Sequence, residues 1–330
     1  MSKSVAILGT GGWGTALGMV LCDKGITVKM WSLFEKEVNH LNEIRENPLL
    51  KGVKIPNEII FTNDLDCAVN DADIIVLAVP SHVVKSVCNM LKKYNDLPII
   101  VNVSKGFDEE NCDLLSDVIK NTLSTDKIVV LSGPTHAEEV AKKIPTTIVA
   151  ASENTEYAEY IQNVFACEYF RVYTNKDVTG VEICGAVKNV IALCAGISDG
   201  CGFGDNTKAA LMTRGMKEIQ RLGVKLGGLP ETFMGLTGVG DLIVTCTSMH
   251  SRNRRAGILI GKGKTTEEAI AEVNMVVEGI KACDCVYKLA EKYDVDMPIV
   301  NTAYDVLHNG VKPEDAVKKL MLRDMKSEQI

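Results

Sequence analysis

The start of the chain places a glycine-rich turn directly between an apolar run and a helical pattern. The run covers residues 4–8, the turn carries Gly9, Gly11 and Gly14, and the helical pattern covers residues 15–23. This order predicts a strand followed by the phosphate-binding turn of a dinucleotide-binding domain. Gly9 permits the tight turn, Gly11 lets the backbone approach a pyrophosphate, and Gly14 lets the helix pack close to the strand.

A glycine-rich turn alone is weak evidence for a nucleotide site, because such a turn can also bind nothing. Kinases and methyltransferases use glycine-rich loops too, but a kinase needs HRD and DFG triplets, and the sequence contains neither. The β-prone run before the turn and the helix start after it favour a nucleotide role. Unpaired N–H groups and the helix dipole would then meet the pyrophosphate.

The chain is acidic, with a formal net charge of -7 over 330 residues. The length predicts two domains, and the charge argues against a nucleic acid as the main partner. The 11 cysteines include no CxxC pair, which predicts reduced, buried thiols in a cytoplasmic protein and no bound metal. We expect no signal peptide, because the N-terminus enters a strand, and no apolar stretch long enough to cross a bilayer.

Short apolar runs alternate with helical patterns through the first half of the chain. We expect strands at residues 5–8, 27–31, 73–79, 98–103, 127–131, 146–150 and 169–173. Runs rich in valine and isoleucine that are separated by helices predict an α/β fold with a Rossmann-type, doubly wound, mostly parallel sheet.

The pattern changes after Asn175. Helical spacing dominates at residues 178–197, 207–226, 265–273, 278–293, 301–307 and 313–325. We therefore predict an all-α C-terminal domain. The chain divides into a dinucleotide-binding domain, residues 1–176, and a helical substrate and catalytic domain, residues 177–330.

Three segments follow predicted strands, at residues 80–82, 104–106 and 132–136. Doubly wound sheets bind ligands beyond the carboxyl ends of their strands, so these segments are candidate site loops. Lys105 suits an anionic substrate or a cofactor phosphate, although a solvated loop lysine explains it equally well. Thr135 either belongs to the site or is the N-cap of the helix predicted after it.

Lys188 is the only charged residue between Glu182 and Asp199. Small and apolar residues lie one helical turn away on either side, which predicts a desolvated ammonium with a lowered pKa. Such a lysine can exchange a proton with a reacting oxygen near neutral pH, and Asn189 beside it can orient a hydroxyl. The alternative is a lysine that reaches the surface through its aliphatic stem.

A second polar cluster lies in residues 236–255. Asp241 is a lone acid in an apolar stretch, and Thr245 lies on the same side of it if the segment is helical. Hydroxyls, a histidine and three arginines follow, and arginine binds phosphate oxygens in a bidentate manner. A capped helix start and a solvated basic turn would give the same composition.

Together these segments resemble the bacterial type of NAD(P)-dependent glycerol-3-phosphate dehydrogenase over nearly the whole chain. Any one block is unspecific, whereas the shared order and spacing are specific. The blocks are Gly9-x-Gly11-x-Trp13-Gly14-Thr15-Ala16, Val103-Ser104-Lys105-Gly106, Leu131-Ser132-Gly133-Pro134-x-His136-Ala137-Glu138-Glu139, Gly180-Val181-Glu182-x-x-Gly185-Ala186-x-Lys188-Asn189, Gly238-Val239-Gly240-Asp241-Leu242, Ser251-Arg252-Asn253 and Val276-Val277-Glu278-Gly279.

The resemblance implies reversible reduction of dihydroxyacetone phosphate to sn-glycerol 3-phosphate by NAD(P)H, which supplies the glycerophospholipid backbone. It implies catalytic roles for Lys188, Asp241 and Lys105, with Lys188 as the proton donor and acceptor. The implied triose phosphate site consists of Lys105, Gly133, Thr135, Lys188, Asn189, Asp241, Thr245, Ser251, Arg252 and Asn253. The implied cofactor contacts are Gly12, Trp13, Ala137, Arg252, Val276 and Glu278, and the glycine-rich turn and the loop at 104–106 add Gly9, Gly11, Gly14 and Lys105.

The residue chemistry agrees with that reaction. An alkoxide develops as hydride reaches the carbonyl carbon, and a lysine with a lowered pKa can protonate it. Arg252 suits a phosphate clamp that holds the substrate in line. Asp241 positions either Lys188 or a substrate hydroxyl, and both roles stay open.

The end of the second strand departs from the family pattern. Bacterial relatives commonly carry a basic pair just after the tryptophan of that strand, whereas Leu33 and Phe34 stand here, with Glu35 beside them. An acid at this place is typical of NAD selection and a base of NADP selection. We expect NAD or NADP as cofactor and favour NAD, although Lys36 can still reach a 2′-phosphate.

Two other functions are alternatives. A related enzyme with the same two-domain plan would act on a hydroxy acid or a sugar acid. A redox sensor would bind NAD(H) without turnover, but it needs neither a desolvated lysine nor an arginine clamp, and no basic DNA-binding helix is present. We expect a small-molecule substrate and no nucleic acid partner, and the apolar helical half offers surface for a homodimer.

Overall fold

The computed structural model describes residues 3–325 and 327–328, and its first half is built on one eight-stranded sheet. The strands are β1 (Ser4–Leu8), β2 (Thr27–Trp31), β3 (Ile60–Thr62), β4 (Ile74–Leu77), β5 (Ile99–Asn102), β6 (Ile128–Ser132), β7 (Thr146–Ala151) and β8 (Phe170–Asn175). Every predicted strand is present. Strand β3 was not predicted, because an edge strand of three residues is too short to show a pattern.

The strands lie in the order β3-β2-β1-β4-β5-β6-β7-β8. Neighbours from β3 to β6 are parallel, β7 is antiparallel to β6, and β8 is parallel to β7. The chain moves outward in one direction from β1 and in the other from β4. The order therefore reverses between β1 and β4, where sheets of this type bind ligands at the carboxyl ends of the strands. The expected Rossmann-type, mostly parallel sheet is confirmed.

Helices cover both faces of this sheet, because the central strands are apolar on both sides. In β1, Val5 and Ile7 belong to one buried cluster, and Ala6 and Leu8 belong to another on the opposite face. The covering helices are α1 (Gly12–Asp23), α2 (Glu35–Ile44), α3 (Leu65–Val69), α4 (Val84–Leu91), α5 (Leu115–Leu123), α6 (Ala137–Val140) and α7 (Thr155–Phe165), with a 3-10 turn at Ser81–Val83.

The regular elements in the described residues of the second half are all helices, which confirms the expected all-α region. Its helices are α8 (Val178–Gly200), α9 (Asp205–Lys225), α10 (Pro230–Phe233), a π-helical turn at Leu236–Gly240, α11 (Asp241–Thr247), α12 (Arg252–Gly261), α13 (Thr266–Val273), α14 (Glu278–Tyr293), α15 (Pro298–His308) and α16 (Pro313–Met321). The division at residue 176 stays a proposal. Residues 1–2, 326 and 329–330 of the two predicted domains lie outside the described residues.

The basic stretch after Asp241 is more ordered than a solvated turn. It starts α12, and the guanidinium of Arg254 lies 2.6 Å from the carboxylate of Asp199 at the end of α8. The same carboxylate lies 2.7 Å from the ammonium of Lys208 on α9. This ion pair network ties three helices together, so the alternative of a solvated basic turn is wrong for Arg254.

Helix α8 forms the centre of the helical half and is buried almost from end to end. By length and composition it could span a membrane, so the expectation that no apolar stretch is long enough is wrong. Within its most apolar window, however, 94% of the residues are buried inside the fold. This is the environment of a core helix, because other helices and the sheet edge pack around it.

Glycines let α8 and α12 pack backbone against backbone. A Cβ atom on Gly196 would lie 2.1 Å from the carbonyl oxygen of Arg254, and one on Gly257 would lie 2.1 Å from a backbone oxygen of α8. Gly200 and Gly261 make equally close approaches one helical turn farther along. This contact fixes the start of α12 relative to α8.

Candidate active site

The glycine-rich turn after β1 is tightly packed at Gly9 and Gly14 and open at Gly11. Gly9 has a φ of +119°, and a Cβ atom there would lie 2.4 Å from the carbonyl oxygen of Ala78. A Cβ atom on Gly14 would lie 2.4 Å from the carbonyl oxygen of Gly9. Gly11 differs from both, because a Cβ atom there would meet no atom within 4 Å.

The start of α1 fits a dinucleotide pyrophosphate. Gly11 is its N-cap and makes no side-chain hydrogen bond to the first turn, and unpaired N–H groups at a helix start bind anions. The buried hydroxyl of Thr10 has no hydrogen-bond partner among the described residues. A Cβ atom on Gly12 would lie 3.8 Å from the Cβ of Ala137, so α6 borders the same turn.

Asn47, which was not predicted as a functional residue, supports this turn from a neighbouring loop. Its amide nitrogen donates to the carbonyl oxygen of Thr10 and to the hydroxyl oxygen of Thr15, both at 2.8 Å. Its carboxamide oxygen accepts the backbone N–H of Leu49. Asn47 lies in the irregular connection after α2, so no local pattern could have indicated it.

Asp241 starts α11 and is the centre of a polar cluster beyond the carboxyl ends of the strands. Its Oδ1 lies 2.5 Å from Nζ of Lys188 on α8. Its Oδ2 lies 2.7 Å from Nζ of Lys105 in the loop after β5, and Lys105 also donates to the carbonyl oxygen of Gly133 at 2.9 Å. One carboxylate therefore binds two ammonium groups, one from each half of the chain.

Thr245 orients the ammonium of Lys188. Lys188 donates to the hydroxyl oxygen of Thr245 at 2.8 Å, and that hydroxyl donates to the carbonyl oxygen of Asp241 at 2.6 Å. Because the hydroxyl proton of Thr245 is donated to the carbonyl oxygen of Asp241, the hydroxyl oxygen offers a lone pair to the ammonium of Lys188. An ammonium has three N–H groups, so one is left after Asp241 and Thr245 are bound.

Burial determines how readily Lys188 gives up its proton. Its side chain is 6% exposed, against 19% for Lys105. Burial is the largest influence on its pKa; Asp241 acts to raise that pKa and Lys105 acts to lower it, and the result is about 7. For Asp241, burial favours the neutral acid, but the two lysines outweigh it and hold the pKa of Asp241 below its usual value. Asp241 therefore stays ionised while Lys188 can titrate near neutral pH.

A chain of amides lies beside Lys188. The backbone N–H of Gly279 donates to Oδ1 of Asn253 at 2.8 Å, and Nδ2 of Asn253 donates to Oδ1 of Asn189 at 2.9 Å. Nδ2 of Asn189 in turn donates to the carbonyl oxygen of Gly185 at 3.2 Å. Each Nδ2 has a second N–H group, so both amides keep a donor beyond this chain of bonds.

Arg252 is the first residue of α12, and its side chain is exposed. Its guanidinium makes no hydrogen bond or ion pair within the part of the chain that the structure describes. Ser251 before it is the N-cap of α12, and its hydroxyl accepts the N–H of Arg254. Thr135 donates to the carbonyl oxygen of Gly133 at 3.0 Å. Helix α6 has His136 as its N-cap, so the alternative of Thr135 as the cap is wrong.

Glu278 starts α14 and connects the two halves of the chain. Its carboxylate accepts the hydroxyl of Ser81 at 2.8 Å and the N–H of Ser81 at 3.3 Å. A Cβ atom on Gly106 would lie 2.7 Å from the Cβ of Ser81, so the loops after β4 and β5 meet at this contact. Ser81 lies in one of the candidate loops, at residues 80–82, but its bond to Glu278 was not predicted.

Trp13 and Val276, two other predicted cofactor residues, make no hydrogen bond to the Asp241 cluster among the described residues. The indole of Trp13 packs on Phe170 with ring centroids 6.5 Å apart. Val276 lies in the connection between α13 and α14. Hydrogen bonds thus join Lys105, Gly133, Thr135, Lys188, Asp241 and Thr245 into one group. Of the predicted cofactor contacts, Lys105 is the one that belongs to this group.

The end of β2 presents an apolar surface beside an acid. Leu33 and Phe34 are 64% and 67% exposed. The hydroxyl of Ser32 donates to the carboxylate of Glu37 at 2.6 Å. The acid bonded at the end of β2 is thus Glu37, whereas the sequence pointed to Glu35, two residues earlier.

Two sequence-family profiles match the chain. The one described as NAD-dependent glycerol-3-phosphate dehydrogenase N-terminus matches residues 4–158, and the one described as its C-terminus matches residues 177–318.

Full-length relatives and a solved structure agree with these profiles. The chain is 59% identical over 332 residues to a glycerol-3-phosphate dehydrogenase (NAD(P)+) of Clostridium perfringens, covering 100% of both chains. It is 53% identical to the protein of that name from Clostridium botulinum, covering 99% of each. It is similar to the crystal structure of glycerol-3-phosphate dehydrogenase from Coxiella burnetii, with a TM-score of 0.93, 36% identity, and coverage of 98% of this chain and 99% of that one.

Proposed function

The chain belongs to the NAD-dependent glycerol-3-phosphate dehydrogenase family, and from that premise we propose that Lys188 is its proton donor, held by Asp241 and Lys105. The enzyme reduces dihydroxyacetone phosphate to glycerol 3-phosphate, the backbone of glycerophospholipids, with NAD(P)H. This replaces the alternatives of a hydroxy-acid dehydrogenase and a redox sensor. The observation that carries the proposal is the buried carboxylate of Asp241, with Lys188 on one oxygen and Lys105 on the other.

Lys188 acts on the carbonyl oxygen of the substrate. When bound, the coenzyme supplies hydride to the neighbouring carbon. As negative charge develops on the oxygen, the one N–H group of Lys188 not bound by Asp241 or Thr245 donates its proton. In the reverse reaction the neutral amine accepts the proton of the hydroxyl, and a pKa of about 7 suits both directions.

Asp241 acts on Lys188 rather than on a substrate hydroxyl. Both of its oxygens already bind ammonium groups, at 2.5 and 2.7 Å. Lys105 offsets part of the negative charge of Asp241, so the carboxylate holds the proton of Lys188 less strongly than an unshared one would. Lys105 therefore tunes Lys188 and brings positive charge to the triose phosphate.

Arg252 clamps the phosphate group of the substrate. Its guanidinium is hydrogen-bonded to no carboxylate in the described residues, although Glu278 and Glu138 attract it, and its planar fork matches phosphate oxygens. The spare N–H groups of Asn189 and Asn253 donate to the remaining oxygens. Gly133, Thr135, Thr245 and Ser251 complete the proposed substrate site.

The coenzyme binds across the carboxyl edge of the sheet, with its pyrophosphate at the start of α1. Gly11 leaves space for it, and the hydroxyl of Thr10 is a polar group available nearby. The proposed contacts are Gly9, Gly11, Gly12, Trp13, Gly14, Lys105, Ala137, Arg252, Val276 and Glu278.

The coenzyme is NADH in preference to NADPH. The exposed pair Leu33 and Phe34 offers no positive charge to a 2′-phosphate, and the carboxylate of Glu37 at the strand end would repel it. Lys36 is exposed and is the nearest counter-charge in sequence. Initial rates with equal concentrations of NADH and NADPH test this preference, and faster turnover with NADPH contradicts it.

We propose that the protein is cytoplasmic and forms a homodimer. All eleven cysteines are unpaired within the described residues, which supports a cytoplasmic location. Leu229, Met234 and Ile243 are exposed on the helical half, and they support a homodimer through that surface. Analytical ultracentrifugation tests the dimer, and a monomer at micromolar concentration contradicts it.

Replacing Lys188 with alanine tests the central role. We expect Lys188→Ala to lose at least roughly 1,000-fold in kcat, since the proton donor is gone, while the Kd for NADH from fluorescence titration is unchanged. The matched control is Lys217→Ala, which removes an exposed lysine from α9. A kcat of Lys188→Ala within tenfold of the parent contradicts the proposal.

A further inference from the structure

Glu182 is a buried carboxylate that the proposed mechanism does not use. It lies on α8, is 5% exposed, and has no cationic partner within the described residues. Burial raises the pKa of Glu182 to about 7, against the opposing effect of its hydrogen bonds. Burying an acid without a cationic partner costs folding free energy. The hydrogen bonds that Glu182 makes therefore indicate what it does.

The carboxylate of Glu182 caps a helix in the other half of the chain. Ser116 lies in the first turn of α5; its backbone N–H donates to Oε1 of Glu182 at 3.1 Å, and its hydroxyl donates to Oε2. Leu114, the N-cap residue of α5, supplies no side-chain hydrogen bond. Glu182 thus replaces an N-cap, at the helix end where the dipole favours negative charge.

The same carboxylate reaches the turn that carries Lys105. Nδ2 of Asn102, the last residue of β5, donates to Oε1 of Glu182 at 3.4 Å. Oδ1 of Asn102 accepts the N–H of Ser104 at 3.1 Å, and the hydroxyl of Ser104 donates to the carbonyl oxygen of Val79 at 2.5 Å. Glu182 is therefore bonded to the residue that shapes the turn from β5 into Lys105.

Two further residues of α8 continue this contact toward the site. A Cβ atom on Gly185 would lie 3.1 Å from Oγ of Ser132 and 3.5 Å from Cγ of Lys105. Lys188, three residues later, reaches Asp241. Along α8, Glu182 binds the end of β5, Gly185 lies beside the stem of Lys105, and Lys188 shares a carboxylate with Lys105.

We propose that Glu182 is a positioning residue that fixes the start of α8 against the sheet, so that Lys188 and Lys105 meet the same carboxylate. It binds Ser116 and Asn102 from across the boundary between the halves, and it touches neither the substrate nor the coenzyme. The inference rests on the proposed function, because Glu182 acts through Lys188.

The test compares Glu182→Ala and Glu182→Gln in the full-length enzyme, by initial rates of dihydroxyacetone phosphate reduction as a function of pH. For Glu182→Ala we expect kcat to fall roughly 10- to 100-fold, because a displacement of about 1 Å has effects of this size. The KM for NADH stays nearly constant. The apparent pKa of the pH profile rises, because a displaced α8 admits water to Lys188. Glu182→Gln keeps an acceptor for Ser116 and loses less.

Glu218 provides a matched control. It is 1% exposed on α9, burial raises its pKa to about 7, and it caps α15 by accepting the N–H groups of Ile299 and Val300 at 2.8 and 3.2 Å. Its contacts lie within the helical half. Glu218→Ala should lower the melting temperature and leave kcat and the pH profile unchanged in the folded enzyme.

The outcomes separate the inference from the function on which it rests. If Glu182→Ala and Glu182→Gln keep the kcat and pH profile of Glu218→Ala, while Lys188→Ala is inactive, the positioning role is wrong and the proton donor stands. If Lys188→Ala is active, the proposed function fails and the positioning role fails with it. Should Glu182→Ala not fold, Ser116→Ala removes one hydrogen bond to the carboxylate and is expected to shift kcat and the pH profile in the same directions. If Ser116→Ala shifts neither, the inference is overturned.

Discussion

The loop after β5 and the middle of α8 each deliver an ammonium group to Asp241, but they deliver it into different surroundings. Lys105 is on a loop and is 19% exposed, whereas Lys188 is on a core helix and is 6% exposed. Burial lowers the pKa of Lys188 to about 7. The contrast teaches that the element carrying a side chain decides how far it is desolvated, even where two identical side chains share one carboxylate.

The two elements also differ in how they are held. The loop is held by hydrogen bonds, from Ser104 to Val79 and from Lys105 to Gly133. Helix α8 is held by close packing, since Gly196 and Gly257 bring it into backbone contact with α12. A loop can adjust a cation to a bound phosphate, whereas a packed helix keeps a proton donor dry and in place.

Removing the carboxylate that Lys188 and Lys105 share should lower kcat more than the other changes that test this comparison. In Asp241→Asn, the force that holds the proton on Lys188 is lost, so Lys188 becomes neutral at pH 7 and cannot donate. We expect kcat to fall roughly 100- to 1,000-fold, as for other losses of a fixed electrostatic partner. Steady-state kinetics at pH 7 measure it, and a loss below tenfold would mean that Asp241 does not set the state of Lys188.

Removing the loop cation should have a smaller effect and one of a different kind. In Lys105→Met, Asp241 is left to Lys188 alone and a nearby positive charge is gone, so the pKa of Lys188 rises. We expect kcat/KM to fall roughly 10- to 100-fold because the phosphate also loses a cation. The pH profile of kcat/KM should move to higher pH, and a profile that moves to lower pH would break the comparison.

Adding a methyl group beneath α8 should have the smallest effect. In Gly196→Ala the new Cβ atom meets the backbone of Arg254, so α8 and α12 must separate. We expect a loss of about 1–3 kcal/mol in the free energy of unfolding, measured by urea denaturation. The matched control is Gly204→Ala, where a Cβ atom meets nothing within 4 Å. Equal stability of the two variants would show that the helices are not held by this contact.

The sequence was sufficient to predict features that depend on residues close together in the chain. The strand, glycine-rich turn and helix at residues 4–23 are contiguous, so their spacing was enough to indicate the fold, and the nucleotide site at this turn stays a prediction. Lys188 could be singled out because charge is scarce on a helix of small and apolar residues. The sequence could not show that Lys188 and Lys105 share Asp241. Lys188 and Lys105 lie 53 and 136 residues from Asp241 along the chain, and both ion pairs depend on how the halves pack.

The sequence was insufficient where packing alone makes a residue important. Asn47 supports the glycine-rich turn from an irregular loop, and Ser81 meets Glu278 only because α14 lies against the loop after β4. The glycines of α8 and α12 were a missed signal. Gly196 and Gly200, like Gly257 and Gly261, are four residues apart, a spacing that places both on one helix face.

The most direct test of this account is the pH dependence of kcat/KM for dihydroxyacetone phosphate reduction, since this ratio reports the pKa of groups in the free enzyme. Reduction needs Lys188 protonated, so between pH 6.5 and 9.5, where the phosphate is mostly dianionic, kcat/KM should be high at the acid end and fall tenfold per pH unit above a pKa of about 7. A ratio that stays constant to pH 9 would mean that Lys188 keeps the proton affinity of an exposed lysine, and would contradict the claim that burial makes it the proton donor.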